Sequence, residues 1–388
     1  MSAIKPISFW KFSGWLFAAF LLGIAIHSPW PYASIGMQYL SIASALALFI
    51  ALLLSKSIFR YVFLVTLAFL LGLWRFESSS IPPNLRFLDP SGFAYTRNAP
   101  NPYRDYLSGR IRQGLPGDEG ALLAGILYGE RSLTKESRDA FRTAGMTHLV
   151  AVSGSNVMIV VMAAMQLFNL FHLSRRKAFL LLTGVLIAFV WLVAPQAPVV
   201  RAAIMGWLVA LAPVVGRLPS TKRLLLVAAS IFAAWKPWSL VYDPSFALSF
   251  LATLGLMTWG QRFDEYFEKK IPWDGIREGV STTLAATLMT TPYAAWAFGQ
   301  ATVVGIITNL FAIPLIPWAM GSGLIALAIP SSPFTLPAQG FLSALLWIAT
   351  TAENIGWGSW SGLGVTPWFM IGCYIVIWWA WKKLSTRR

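Results

Sequence analysis

The segment GMTHLVAVSGSNVMIVV, residues 145–161, sets a histidine, two serines and an asparagine into an otherwise apolar run. His148, Ser153 and Asn156 lie near helical spacing, and Ser155 adds a second hydroxyl. Gly154 leaves room for a ligand or a neighbouring helix to approach the backbone. The spacing supports two readings: polar packing between helices, or groups that line a path for a polar solute. A nucleophilic serine would need a base within hydrogen-bond reach. His148 is five residues before Ser153, so one straight helix turns the two to poorly matched faces. The chain's three histidines are His27, His148 and His172. They cannot build a His-rich dinuclear centre, so no metal and no cofactor are expected.

Three further polar residues fall at or within apolar runs. Arg201, in PQAPVVRAAIMGWLVA, is either an interfacial cation whose stem snorkels to water or a path-lining cation that meets anions. Asp243 precedes Pro244 in SLVYDPSFALSF, which fits a helix cap at a membrane boundary better than a catalytic acid. Glu353, followed by Asn354 in a long apolar run, is either part of a buried structural pair or a pore position. Ionisable groups in such runs are costly and usually face a bundle interior.

The elements that must hold these residues follow from composition. Of 388 residues, 57% are hydrophobic and 12% charged, about half the charge of an average soluble domain. A soluble globular enzyme is therefore excluded as the main reading. Apolar runs of about 20 residues recur, each long enough to cross ~30 Å of hydrocarbon. They are continuous rather than alternating, which argues against an outer-membrane barrel. The fold class expected is all-α, a polytopic helical membrane protein. Its net charge of +15 is mostly what Lys- and Arg-rich inner loops produce. The single cysteine, Cys373, excludes an intramolecular disulfide.

Three spans are expected near 10–28, 35–54 and 58–76. Lys5, Lys11, Lys56 and Arg60 flank them on one side, which puts the N-terminus in the cytoplasm. Residues 77–147 then lie outside, as a loop followed by an apolar helix (EGALLAGILYGE) and an amphipathic one (TKESRDAFRTAG) with a Thr cap. The third region, 148–388, has spans near 148–171, 178–194, 198–216, 223–240, 243–260 and 279–298, with an amphipathic connector at 261–278. The run 305–330 is too long for one straight span and carries Pro314 and Pro317. Read as one broken or re-entrant passage, it gives about 12 passages and leaves the basic tail KKLSTRR inside.

Four ordered blocks carry a family resemblance: AGILYGERSLTKESRDAFRTAGMTHLVAVSGSNV (124–157), APVVRAAIMG (197–206), DPSFALSFLATLGL (243–256) and TTPYAAWAFGQATVVGIITNLFAIPLIPW (290–318). From about Gly120 to Pro317 the chain resembles the competence domain of the ComEC family of DNA-uptake channels. The resemblance implies an inner-membrane channel that passes single-stranded DNA during natural transformation. His148, Ser153, Gly154, Arg201, Asp243, Ser249, Phe250, Pro292 and Asn309 occupy matching positions. Asn156 departs from the pattern, since many members have His there, and this weakens a proton-transfer or metal role.

Larger members also carry an oligonucleotide-binding barrel and a metallo-β-lactamase-like nuclease. The stretch 77–147 does not read as a five-stranded barrel, and no soluble segment follows the last apolar run. The chain is thus expected not to be an enzyme. Its expected partners are single-stranded DNA, membrane lipid, and a separate DNA receptor, nuclease and cytoplasmic motor or helicase. Two other functions stay open on sequence: an intramembrane serine hydrolase, and a small-solute permease, which an inverted repeat would favour.

Overall fold

The computed structural model describes residues 9–29, 36–53, 58–79, 102–130, 132–150, 152–193, 197–216, 220–329, 331–355 and 358–385. Among these the chain is nearly all helix, with one short two-stranded ribbon. By contact it divides into two compact units, Met1–Tyr95 with Gly216–Ala247, and Thr96–Val215 with Leu248–Arg388.

The first unit is built on α1 (Phe9–His27), α2 (Met37–Leu53), α3 (Ile58–Glu77), α11 (Thr221–Trp235) and α12 (Ser239–Tyr242). Small residues let α1 and α3 touch backbone to backbone, with Gly23 and Gly72 facing each other. A β-carbon on Gly72 would collide with the Phe20 carbonyl. Ile24, Phe76, Ala233 and Tyr242 form the buried cluster beneath. Arg75 donates to the carbonyls of Ala234 (2.6 Å) and Trp235 (3.0 Å), groups that the end of α11 leaves without helical partners. His27 Nε2 lies 2.7 Å from Glu77 Oε2 where α1 and α3 end, and both side chains are buried or nearly so.

The second unit begins with α4 (Pro102–Gly114), α5 (Asp118–Tyr128), α6 (Lys135–Thr143) and α7 (Thr147–Val150). Then come α8 (Gly154–Leu170), α9 (Arg175–Val193) and α10 (Ala197–Val214). α13 (Pro244–Gly255), whose first four residues still belong to the first unit, runs through a π-helical turn, Leu256–Gly260, into α14 (Gln261–Phe267). There follow α15 (Asp274–Phe298), β1 (Gln300–Thr302), α16 (Val304–Ala312), α17 (Leu315–Ala328), α18 (Ser332–Ile355), β2 (Ser359–Ser361) and α19 (Pro367–Ser385). The ribbon is antiparallel, with Gln300 opposite Ser361. α5 is apolar on all sides and sits in the core: every residue from Leu122 to Tyr128 is buried, against α17 and α18 among others.

The run 305–330 is broken as expected, into two helices, α16 and α17, bent by 43°. Pro314 stands at that break, where its missing N–H costs no helical bond. Two other expectations change in detail. Of the run 243–260, residues 244–260 are helical, but the last five form the π turn, which shifts the side-chain faces before the connector. The connector 261–278 is not one amphipathic element but the end of one helix and the start of another. Among the described residues one helix, α9, is by itself long and apolar enough to cross a bilayer, and the bent α16–α17 pair passes together. Shorter apolar helices cover Phe12–His27, Met37–Leu53, Gly154–Leu170 and Pro198–Val214.

The α1–α3 contact is testable. Gly72→Val forces backbones apart and is expected to cost about 1–3 kcal/mol. Gly14, whose surroundings are open, should accept alanine with no loss, since Ala is the better helix former by up to ~1 kcal/mol. Thermal unfolding of the two purified variants checks this; equal midpoints would mean that α1 and α3 do not touch there.

Candidate functional site

The signature segment 124–157 is a chain of short helices whose ends are individually satisfied. α6 starts at Thr134, whose hydroxyl accepts from Ser137 N at 3.3 Å. Asp118, in the first turn of α5, accepts from Thr134 N (3.2 Å), Thr134 Oγ1 (2.6 Å) and the Ser137 hydroxyl. Burial pushes the Asp118 carboxyl up, but the hydrogen bonds from Ser137 and Thr134 outweigh it and hold the group below the usual carboxylate range.

α6 stops at Gly145, whose φ of 69° is left-handed. Gly145 N donates to Arg142 O (3.1 Å) and Met146 N to Phe141 O (2.8 Å), the paired bonds of a Schellman ending. A β-carbon at Gly145 would also press on Thr302 at 2.6 Å. Thr308 Oγ1 donates to Ala144 O at 2.7 Å, tying α16 to the end of α6.

The spacing of His148, Ser153 and Asn156 suggests a single helix, and this is corrected: α7 ends at Val150 and α8 starts at Gly154. Ser153 caps α8, accepting from Asn156 N at 3.4 Å. Asn156 Oδ1 accepts from the Ser153 hydroxyl (3.0 Å) and is within 3.5 Å of the Ser155 hydroxyl, and the two hydroxyls lie 2.6 Å apart. Asn156 is 1% exposed, and its Nδ2 donates to Ile126 O at 2.9 Å. Asn156 therefore pins the start of α8 to the backbone of α5. Gly154 lies against Ala202 of α10. His148 is exposed on the surface of the chain beside Gly145, and among the described residues no hydrogen bond joins it to either serine.

Arg201 sits one turn into α10 and is 1% exposed. The snorkelling alternative is thereby overturned, because the side chain is buried rather than reaching the surface of the chain. Its guanidinium carbon stands 5.8 Å from the Phe250 ring centroid. Ser249, next to Phe250 on α13, is half-buried, and its carbonyl accepts from Thr253 Oγ1 at 2.9 Å. Pro292 lies inside α15. Asn309 is on α16 with a buried Oδ1 that has no hydrogen-bond partner among the described residues.

Glu353, in the last turn of α18, is exposed, as is Asn354, so the buried-pair alternative falls. Val303 N donates to Gly358 O at 2.7 Å. That bond and the Thr308–Ala144 contact bring the segments bearing His148, Asn309 and Glu353 together. Asp243 belongs to the first unit and is buried. Its Oδ1 accepts from Ser245 N at 2.9 Å, so it caps α13 as its position before Pro244 suggests.

One polar group was not singled out from sequence. Ser108 donates to Glu130, lies 2.9 Å from the Tyr128 hydroxyl, and Arg112 reaches Glu130 at 3.0 Å. Burial pushes the Tyr128 hydroxyl above its ordinary pKa. These residues adjoin a cleft of about 270 Å³ walled by Gly117, Gly120 and Ala121. Glu130 directly after a buried apolar helix was the available signal.

A model of the Competence protein family matches residues 126–383, two of whose blocks build the arrangement around Asn156 and Arg201. The chain belongs to the Competence protein family. ComE operon protein 3 of Bacillus subtilis (strain 168) is 23% identical over 62% of this chain and 31% of its own length. Uncharacterized protein YcaI of Escherichia coli (strain K12) is 27% identical over 68% of this chain and 37% of its own. The chain thus spans about a third of the length of these curated relatives. No solved structure matches it.

Asn156→Leu removes both bonds of the Asn156 amide and strands the Ile126 carbonyl. It is expected to destabilise by about 1–3 kcal/mol. Asn156→Asp keeps the acceptor for Ser153 but loses the donor to Ile126, so it should be damaging as well. Unfolding midpoints of the purified variants test this; wild-type stability in both would remove the pinning role.

Proposed function

We propose that this protein is an inner-membrane channel through which one DNA strand enters the cell during natural transformation. The observation that carries the reading is Arg201, a guanidinium held inside apolar helices over the face of Phe250. A single strand crossing a membrane needs cations for its phosphates and aromatic faces for its bases. Membership of the Competence protein family supports the process. Gly154 against Ala202 supports a common neighbourhood for Arg201 and the surface-exposed His148 and Ser155. In this reading Ser249, Asn309 and Glu353 contribute polar surface to the same route, while Ser153, Gly154 and Asn156 shape its wall. Asp243 contributes as the cap of α13.

In our reading the chain crosses the membrane about 12 times, with both termini cytoplasmic and residues 77–147 outside. Large apolar side chains on outer faces support a lipid environment; on α2 alone Tyr39, Ile42, Leu46, Phe49 and Leu53 are exposed along one stripe. Parity supports the count. β1 pairs with β2, which requires an even number of passages between them, and the bent α16–α17 pair with α18 supplies two. Arg262 Nη1 donates to Trp381 O at 3.1 Å, which keeps the connector and the basic tail on one side.

The chain acts as a conduit and not as an enzyme, with strand degradation, DNA capture and pulling left to separate proteins. Ser153 supports this role, because its hydroxyl is engaged by Ser155 and Asn156 rather than by a base.

Two experiments test the reading. Uptake of labelled DNA, normalised to membrane protein level, is expected to fall from wild type to Arg201→Lys to Arg201→Ala. Lysine keeps the charge and loses the planar fork that suits phosphate. Normal uptake in a well-inserted Ala variant would take Arg201 off the route. For topology, cysteines at Ser91 and Thr386, after Cys373 is replaced, should label from outside and inside respectively. Labelling of Thr386 in intact cells would sink the 12-passage arrangement.

A further inference from the structure

The cationic end of α19 meets the start of α14. Arg262 hydrogen-bonds the Trp381 carbonyl, and its guanidinium carbon stands 5.8 Å from the Trp259 ring and 5.2 Å from the Trp381 ring. Lys382 Nζ is 5.4 Å from the Trp378 ring and Lys383 Nζ is 5.0 Å from that of Trp379. From Pro367 to Arg388 the sequence has four cations and no carboxylate. On the connector, Asp264 and Asp274 both engage Arg277 and Glu265 engages Gln261, while Glu268 and Glu278 are exposed.

Apolar surface runs up to these cations. Ile371, Ile375, Trp378 and Lys382 recur at helical spacing on one face of α19, and the first three are 42%, 60% and 58% exposed. We propose that this end of the second unit binds an anionic phospholipid such as phosphatidylglycerol. Its phosphate is taken by Arg262, Lys382 and Lys383, and its acyl chains lie along Trp378, Ile375 and Ile371. The proposal rests on the membrane reading above. Cations gathered at one end of a long apolar face match a molecule with one anionic head and two apolar tails. A nucleic acid strand would instead call for cations spaced along the surface. The lipid would join two elements that are 119 residues apart in sequence at the Arg262–Trp381 contact.

The full chain, extracted in detergent from membranes holding phosphatidylglycerol and phosphatidylethanolamine, is assayed for retained lipid by native mass spectrometry. Wild type is expected to retain phosphatidylglycerol preferentially. Lys382→Gln, Lys383→Gln and Arg262→Gln should each weaken retention by about fivefold, in line with a basic residue's attraction to an anionic lipid. Lys236→Gln, in the first unit, should leave it unchanged. Added phosphatidylglycerol should raise the thermal midpoint of wild type and not of the Lys382→Gln, Lys383→Gln pair, two surface changes that leave Arg262 in place.

Equal phosphatidylglycerol retention in wild type and the Lys pair overturns the site. So does a midpoint rise given equally by inorganic phosphate or phosphatidylethanolamine. A chain recovered in the soluble fraction without detergent overturns the membrane reading itself, a result distinct from loss of the lipid site.

Discussion

A helix that ends inside protein leaves four N–H groups or four carbonyls that water cannot reach. Much of this molecule follows from how those ends are satisfied. Ser153 closes the start of α8, Asp243 the start of α13 and Thr134 the start of α6, while Gly145 closes the end of α6 and Arg75 the end of α11. Each of these residues is polar or conformationally permissive, so the polar signature of an apolar chain falls largely where helices stop. The break between α7 and α8 is the clearest case. It gives the second unit a short polar ledge in place of one uninterrupted helix, and leaves His148 and Ser155 facing accessible space.

The same constraint governs the charges. Arg201 could enter the interior only with partners that tolerate a guanidinium, and the Phe250 face is one of them. Glu130 is held by Ser108 and Arg112, and Asp118 by Thr134 and Ser137, so acids of the 102–147 stretch help to fasten α4, α5 and α6 to one another. That stretch is polar in composition, yet it contains α5, whose apolar sides are covered all round. Its charge lies at helix ends and along the exposed face of α6, where Lys135, Glu136, Arg138, Asp139 and Arg142 are all exposed.

Helix class, the Thr134 cap, the Asp243 cap and the break in the run 305–330 were legible without coordinates, because each depends on neighbours in the chain: apolar run length, a hydroxyl or carboxylate before a helix, a proline within one. The family was legible too, since ordered blocks survive where overall identity is low. The ends of α7 and α8 were not read correctly. His148, Ser153 and Asn156 satisfy helical spacing, and no Pro marks the break.

Side-chain direction was beyond the sequence for a physical reason. A snorkelling arginine and a buried one have the same neighbours in the chain; only packing against α13 decides that Arg201 points inward. Glu353 in an apolar run reads equally as part of a buried pair or as a pore position, and only the last turn of α18 shows it exposed. The β1–β2 ribbon, the Thr308–Ala144 bond and the Asn156–Ile126 bond join residues tens of positions apart. The amino-acid sequence by itself determined an apolar, helical chain of the Competence protein family, because composition and local pattern carry that. The tertiary structure alone decided which of its polar residues meet, because those contacts depend on the fold of distant helices and not on any interval between letters.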